Sequence, residues 1–172
     1  SADLPHKTEA GAVALNINDL TSLRSQVTAI WESATCFNPK AKLDGILIQP
    51  MISSLAEVLV GFRRDPETGP VVVLSTGGGL AEIYIDVAIR PAPVNFDVAQ
   101  QMIHEVNGLA PLRGYRNLPK GDLKALAKCI TAVSQLAAIE GPRVLEAEIN
   151  PLSVFKDGDG VVAVDALIRL AS

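Results

Sequence analysis

Alternating and clustered apolar positions divide the chain into short strands and longer helical stripes. Residues 12–17, AVALNI, predict a strand. Then NDLTSLRSQVTAIWESATCF places Leu20, Leu23, Val27, Ile30, Trp31 and Ala34 on one helical face, with Asn18 or Asp19 as cap. After a break at NPKAK, LDGILIQPM is short and apolar enough for a buried strand. AEVLVGFRR (56–64) and PVVVLST (70–76) predict two more strands around a DPETGP turn. AEIYIDVAIR (81–90) alternates with period two, so Ala81, Ile83, Ile85, Val87 and Ile89 share one face and Glu82, Tyr84, Asp86 and Arg90 the other.

Helical spacing returns twice. Residues 95–107 would bury Phe96, Ala99, Ile103 and Val106 and stop at Gly108. Residues 121–139 would bury Leu123, Leu126, Ile130, Val133 and Ala137. The chain then ends in VLEAEINPLSVF and VVAVDALIRL, two strands joined by a KDGDG hairpin. Strands in runs, broken by helices in pairs, predict an α/β chain of the α+β kind: a mixed or antiparallel sheet with helices packed on it. The first strand and helix have no earlier strand to pair with, so an incomplete N-terminal lobe is expected.

Composition narrows the function classes. With 48% hydrophobic residues among 172, the chain is too apolar for a disordered one. Fifteen Lys and Arg against nineteen Asp and Glu give a net charge of -4, with no basic block to neutralise a run of phosphates. Nucleic acid is therefore not an expected partner. No apolar run approaches the roughly 20 residues of a membrane span, and the first residues lack the order of a signal peptide. No membrane partner and a cytoplasmic location are expected. Cys36 and Cys129, far apart and without a metal-spaced neighbour, predict reduced core thiols.

The strongest chemical constellation is the C-terminal hairpin. In VLEAEIN, Glu146, Glu148 and Asn150 face one way and Leu145, Ala147 and Ile149 the core, while Asp165 interrupts the apolar strand opposite. A few oxygen ligands on neighbouring strands suit Mg²⁺, which leaves its other positions to water and phosphate. A solvated polar face is the competing reading, and a carboxylate buried in a Val-rich strand weighs against it. Gly77, Gly78 and Gly79 after a buried strand could turn amides toward an anion, or form a plain turn; neither a Walker loop nor the Rossmann spacing is present. DGDG starts like a calcium loop but lacks the later Glu, so a hairpin turn is expected. His104 beside Glu105 reads as a surface residue. His6, ahead of any regular element and next to Lys7, is a possible phosphoryl acceptor.

In order, SADLPHKTEAGAVALNI, ILIQPM, EVLVGFRRDPETGPVV, STGGGLAEIYIDVAIRPAPV, LRGYRNLP, EAEINPLSVF and VVAVDA resemble the ATP-grasp domain of ADP-forming (NDP-forming) acyl-coenzyme A synthetases. They are more distantly similar to the nucleotide-binding subunit of succinyl-CoA synthetase. The resemblance spans essentially the whole chain. It implies an ATP-grasp fold, with residues 1–42 as a remnant of the first subdomain and 43–172 as the C-terminal one. It also implies an acid–thiol ligase that exchanges phosphate between ATP or ADP and a phosphohistidine.

By the same resemblance, Gln49 and Met51 lie along the adenine and Glu57 contacts the ribose or hinge. Gly77, Gly78, Gly79 and Arg90 approach the transferring phosphate, Glu148, Asn150 and Asp165 surround Mg²⁺, and His6 relays phosphate. The sequence departs from the family at Gly11 and Ala12, where two glycines are usual, at Ser75 and Thr76 before the glycines, and at Pro50 in the hinge. CoA-binding and ligase domains are the implied partners, oligomerisation is possible, and the chain alone is expected to be inactive. The alternative is a non-catalytic ATP-grasp module regulating a partner domain such as a protein acyltransferase.

Overall fold

The computed structural model describes residues 1–4, 7–77, 86–114, 116, 118–139 and 143–171. Chain contacts separate two compact units, Ser1–Ile52 and Ser53–Ser172.

In the first unit, helix α1 spans Leu20–Phe37. Asp19 caps it, its Oδ1 accepting the Thr21 and Ser22 amides at 2.8 Å. Of the predicted apolar stripe only Ala34 is buried, in a small cluster with Leu4 and Ala10, while Leu20 is 73% exposed and Trp31 43%. The expected strands at 12–17 and 43–51 do not form. Periodicity reports which side chains could share a buried face, but a strand exists only where its N–H and C=O groups find a ladder partner. Among the described residues neither segment has one, and Leu47 and Ile48 are exposed.

Among the described residues, the second unit contains a six-stranded sheet of β1 (Ala56–Asp65), β2 (Gly69–Thr76), β3 (Val87–Pro91), β4 (Val144–Val154), β5 (Val161–Ala163) and β6 (Ala166–Leu170). Their order is β3-β2-β1-β4-β5, with β6 also on β4 and every pairing antiparallel. Val58, Val60, Phe62, Val72, Leu74 and Ala88 project from one face into the core. That face is covered by helices α2 (Phe96–Glu105) and α3 (Leu123–Ser134), which bury Ala99, Met102, Ile103, Leu126, Ala127 and Ile130. On β3 it is Ala88 that is buried, while Val87 and Ile89 are 37% and 50% exposed; the predicted apolar row of this strand lies away from the helices, and its residues 81–85 lie outside the described residues.

Two helix ends differ from expectation for a tertiary reason. Helix α2 stops at Val106 because the Asp86 carboxylate takes the amides of Asn107 and Gly108, starting a 3-10 helix over Asn107–Arg113. Helix α3 passes into a 3-10 turn over Gln135–Ala138, whose Leu136 and Ala137 carbonyls accept the Arg64 guanidinium at 3.3 and 2.9 Å. The same side chain donates to Val144 O at 3.0 Å and lies over the Phe62 ring. Arg64 thus satisfies carbonyls that a helix end leaves unpaired.

Of the cysteines, Cys129 is half-buried, and burial pushes its thiol up, whereas Cys36 is exposed rather than part of a core. Among the described residues no helix is long and apolar enough to cross a membrane.

Candidate functional site

The face of the sheet turned away from α2 and α3 carries Glu57, Arg63, Glu146 and Glu148, beside apolar residues such as Val73 and Ile89. Phe62 and Ala147 pair directly and pack under α3, so Gly61, Arg63, Glu146 and Glu148 beside them point to the opposite face. Arg63 stands across from Glu146 and Gly61 across from Glu148 on one side of β4, with Arg169 and Leu167 as their counterparts on β6. Glu57 occupies the same face further along β1, opposite Ser153, and is exposed.

The hairpin strands are irregular where the metal ligands are expected. From Ile149 to Leu152 β4 advances three residues while β1 advances two, from Val58 to Val60. The extra residue is a bulge, so Ile149 and Leu152 both reach the core although strict alternation would separate them. Asn150 and Pro151 sit in this kink. Pro151 has no N–H for the ladder, and its carbonyl accepts Val164 N at 3.0 Å. Asn150 N donates to Asp165 O at 3.1 Å.

Val164 and Asp165 therefore form the gap between β5 and β6, and the predicted last strand is two strands. Asp165 is exposed, its Oδ1 accepting the Ala166 amide at 3.0 Å; the expectation of a carboxylate buried among valines is corrected by this break. A second shift, between Val144 and Glu146, turns Val144 rather than Leu145 inward.

Asn150 and Asp165 are thus neighbours by backbone pairing, and Glu148 is two residues along the same strand. Two carboxylates and an amide suit a hard cation that keeps water or phosphate as its remaining ligands. Among the described residues no three His, Cys, Asp or Glu side chains gather as a preformed metal site. Glu146 is engaged elsewhere, accepting Arg169 Nε and Nη2 at 3.1 and 2.9 Å.

Other expected site residues are placed differently. Arg90 is opposite Val72, on the helix-covered face, and is ion-paired to Glu105. The structure does not bring it to the face of Glu148, because β3 is turned with Ala88 and Arg90 toward α2. Gly77 donates its N–H to Glu57 O at 2.8 Å, and a Cβ on it would lie 2.8 Å from the Val58 backbone. Its glycine is required by close approach to β1, and its amide is not directed at an anion. Gly78, Gly79 and His6 lie outside the described residues. Lys7 O accepts Ala12 N, closing a turn in the first unit. Gln49 and Met51 belong to the first unit, in a segment without regular structure, and Met51 is exposed. The DGDG segment is a hairpin turn whose Gly158 and Gly160 amides donate to Asp122 Oδ2, each at 3.1 Å.

Sequence reasoning missed this role of Asp122 and the Asp86 clamp on Asn107 and Gly108. Both bridge residues more than twenty positions apart, and the only sequence signal was an acidic residue at an element's edge.

Comparison with known proteins gives concordant results. A family profile described as ATP-grasp domain matches residues 1–170. The chain is 37% identical over 164 residues to acetate–CoA ligase [ADP-forming] I of Archaeoglobus fulgidus, covering 94% of this chain and 23% of that protein. It is 37% identical over 170 residues to the beta subunit of acetate–CoA ligase [ADP-forming] I of Pyrococcus furiosus, covering 99% and 72%. A solved structure of dinucleotide forming acetyl-coenzyme A synthetase 1 from Ca. Korarchaeum cryptofilum superposes with a TM-score of 0.80 at 27% identity, covering 99% of this chain and 73% of that one. That protein was in complex with coenzyme A and Mg-AMPPCP, its phosphohistidine segment pointing towards the nucleotide binding site.

Proposed function

The chain belongs to the ATP-grasp family shared with ADP-forming acetate–CoA ligases, and from that premise we propose that its sheet face holds Mg²⁺ and the phosphates of ATP or ADP within an acid–CoA ligase. The observation that carries this reading is the pairing of Asn150 with Asp165 at a bulge, with Glu148 on the same strand. A bulge re-aims side chains without ending the sheet. Here it brings the backbone of Asn150 against that of Asp165, in the break between β5 and β6, two residues along β4 from Glu148.

Glu148, Asn150 and Asp165 would hold the ion, whose charge when bound offsets that of the phosphate oxygens. The residues themselves fix position: β4 is paired on both edges, so Glu148 cannot shift without breaking two ladders. Glu57, toward the other end of β1, is assigned to the nucleoside side. The adenine contact of Gln49 and Met51 rests on the resemblance. Arg90, paired with Glu105 on the other face, is assigned to holding β3 against α2 rather than to the phosphate.

His6 is proposed to carry phosphate in transit. An imidazole attacks the terminal phosphorus of ATP, the bond to the ADP oxygen breaks, and ADP leaves with the charge. The neighbouring Lys7 supplies positive charge beside it. Incubating the enzyme, with its CoA-binding and ligase domains, with γ-labelled ATP and Mg²⁺ should leave acid-labile label on the LPHKTEAG peptide. His6→Asn should remove that label and depress turnover while nucleotide affinity stays nearly constant. Full turnover in His6→Asn, with label confined to another domain, would contradict the relay.

A further inference from the structure

One cross-strand row on the proposed nucleotide face is left without a role. Arg63 on β1, Glu146 on β4 and Arg169 on β6 stand side by side, and both ladders flanking β4 run unbroken from Glu146 to Ile149. Glu146 pairs with Arg169, whose side chain is 61% exposed. Arg63 is exposed, and although its charge, after the Thr68 and Glu67 amides, helps to hold the Asp65 carboxyl below its ordinary range, it forms no salt bridge among the described residues. Asp65, the next residue on that side of β1, uses its Oδ1 on the Glu67 and Thr68 amides of the turn. An exposed pair of this kind contributes little to stability, so packing does not account for a second arginine in the row.

The position of the row is what gives it meaning. Along β1 and β4 the order is Glu57 with Ser153, then Asn150 with Asp165, then Gly61 with Glu148, then Arg63 with Glu146 and Arg169. At about 3.4 Å per residue, the arginine row is about 7 Å beyond Glu148. That is within the length of an arginine side chain. If Glu57 marks the nucleoside side, the arginines lie past the terminal phosphate, where the group exchanging phosphate with the nucleotide must arrive.

We propose that Arg63 and Arg169 form a positioning site for a phosphoryl dianion that is not part of the nucleotide. Its source is either free phosphate or a phosphorylated segment of the enzyme. Planar guanidinium groups on two strands, held apart by one carboxylate, can each present a fork of donors to such a group. The direction of the row rests on the proposed function, which fixes the nucleoside side.

The test titrates inorganic phosphate into the protein saturated with Mg²⁺ and a non-hydrolysable ATP analogue, followed by NMR. Arg63→Gln and the double variant Arg63→Gln, Arg169→Gln should raise the phosphate dissociation constant about tenfold or more, as loss of a charge-assisted hydrogen bond implies. Analogue affinity should change less than about twofold. Arg169→Lys, which retains the charge opposite Glu146, guards against loss of folding in the double variant and should recover part of the affinity. A parallel titration with a stable phosphohistidine-analogue peptide separates the sources: tighter, Arg63-dependent peptide binding assigns the row to an enzyme segment, and tighter phosphate binding assigns it to the free ion. Wild-type phosphate affinity in a folded double variant, or phosphate displaced by the analogue in the wild type, would overturn the proposal. A wild-type chain that binds phosphate through Arg63 but no Mg²⁺-dependent analogue would instead overturn the proposed function.

Discussion

Asp122 shows how one carboxylate ties a loop to a helix. Its Oδ1 caps α3 through the Ala125 amide at 2.9 Å, and its Oδ2 accepts the Gly158 and Gly160 amides of the β4–β5 turn. The Ala125 amide, with smaller help from those of Gly160 and Gly158 and the charge of Lys128, holds its carboxyl below the usual carboxylate range, against the opposing effect of burial. A folded-state pKa below the unfolded one stabilises fully above the unfolded value, about 3.9, and the contribution disappears as pH falls through the folded value. Asp122→Asn keeps one acceptor for Ala125 but sets an amide N–H₂ against two glycine N–H groups. We expect it to cost about 1–3 kcal/mol at neutral pH, and the remaining stability should fall less steeply below about pH 4 than in the wild type. Urea titrations at several pH values check both. At this scale the sequence is legible where alternation is uninterrupted, as for Glu146 and Glu148, and silent where a distant carboxylate claims a backbone amide, as at Asp86. Gly77 belongs to the second group: its glycine looked suited to an anion, but nothing local announced the β1 backbone at 2.8 Å.

Among the elements, β1 and β2 were legible from short apolar runs around a turn, and α2 and α3 from an apolar period whose face they largely bury, although tertiary contacts set the ends of both helices. The segments at 12–17 and 43–51 carry similar apolar runs, yet a run says nothing about whether a ladder partner is at hand. The last strand was read as continuous because a kink at Asn150–Pro151 is recorded in its partner, not in VVAVDALIRL itself. Arg64 is the element-scale joint that sequence inspection passed over, bridging β1 to the end of α3 and to Val144. Replacing it with Met keeps the apolar contact with Phe62 and leaves three carbonyls without that donor. Arg64→Met should lower stability by about 2–3 kcal/mol, and Arg64→Lys should restore only part of it, since a single ammonium cannot reproduce the fork. Unchanged urea midpoints in both variants would remove this joint from the account.

For the whole molecule, the sheet has one face packed against helices and one face bearing Glu57, Arg63, Glu146, Glu148 and Arg169, with Asn150 in the bulge of β4. The family resemblance was legible from ordered motifs spread over the chain, and the EIN segment lies on β4, as its alternation implied. The face on which each residue lies was not legible for Arg90, because alternation yields two faces and does not say which one the helices will cover. The bulge that pairs Asn150 with Asp165, together with Glu148, is proposed to make a Mg²⁺-dependent nucleotide site. Calorimetric titration of ADP with and without Mg²⁺, in the wild type and in Asp165→Asn and Glu148→Gln, decides this. Mg²⁺ should tighten ADP binding in the wild type, and each variant should lose about tenfold or more of that Mg²⁺-dependent affinity, with melting temperature little changed. ADP binding that ignores Mg²⁺, or folded variants that keep the wild-type Mg²⁺ dependence, would contradict it.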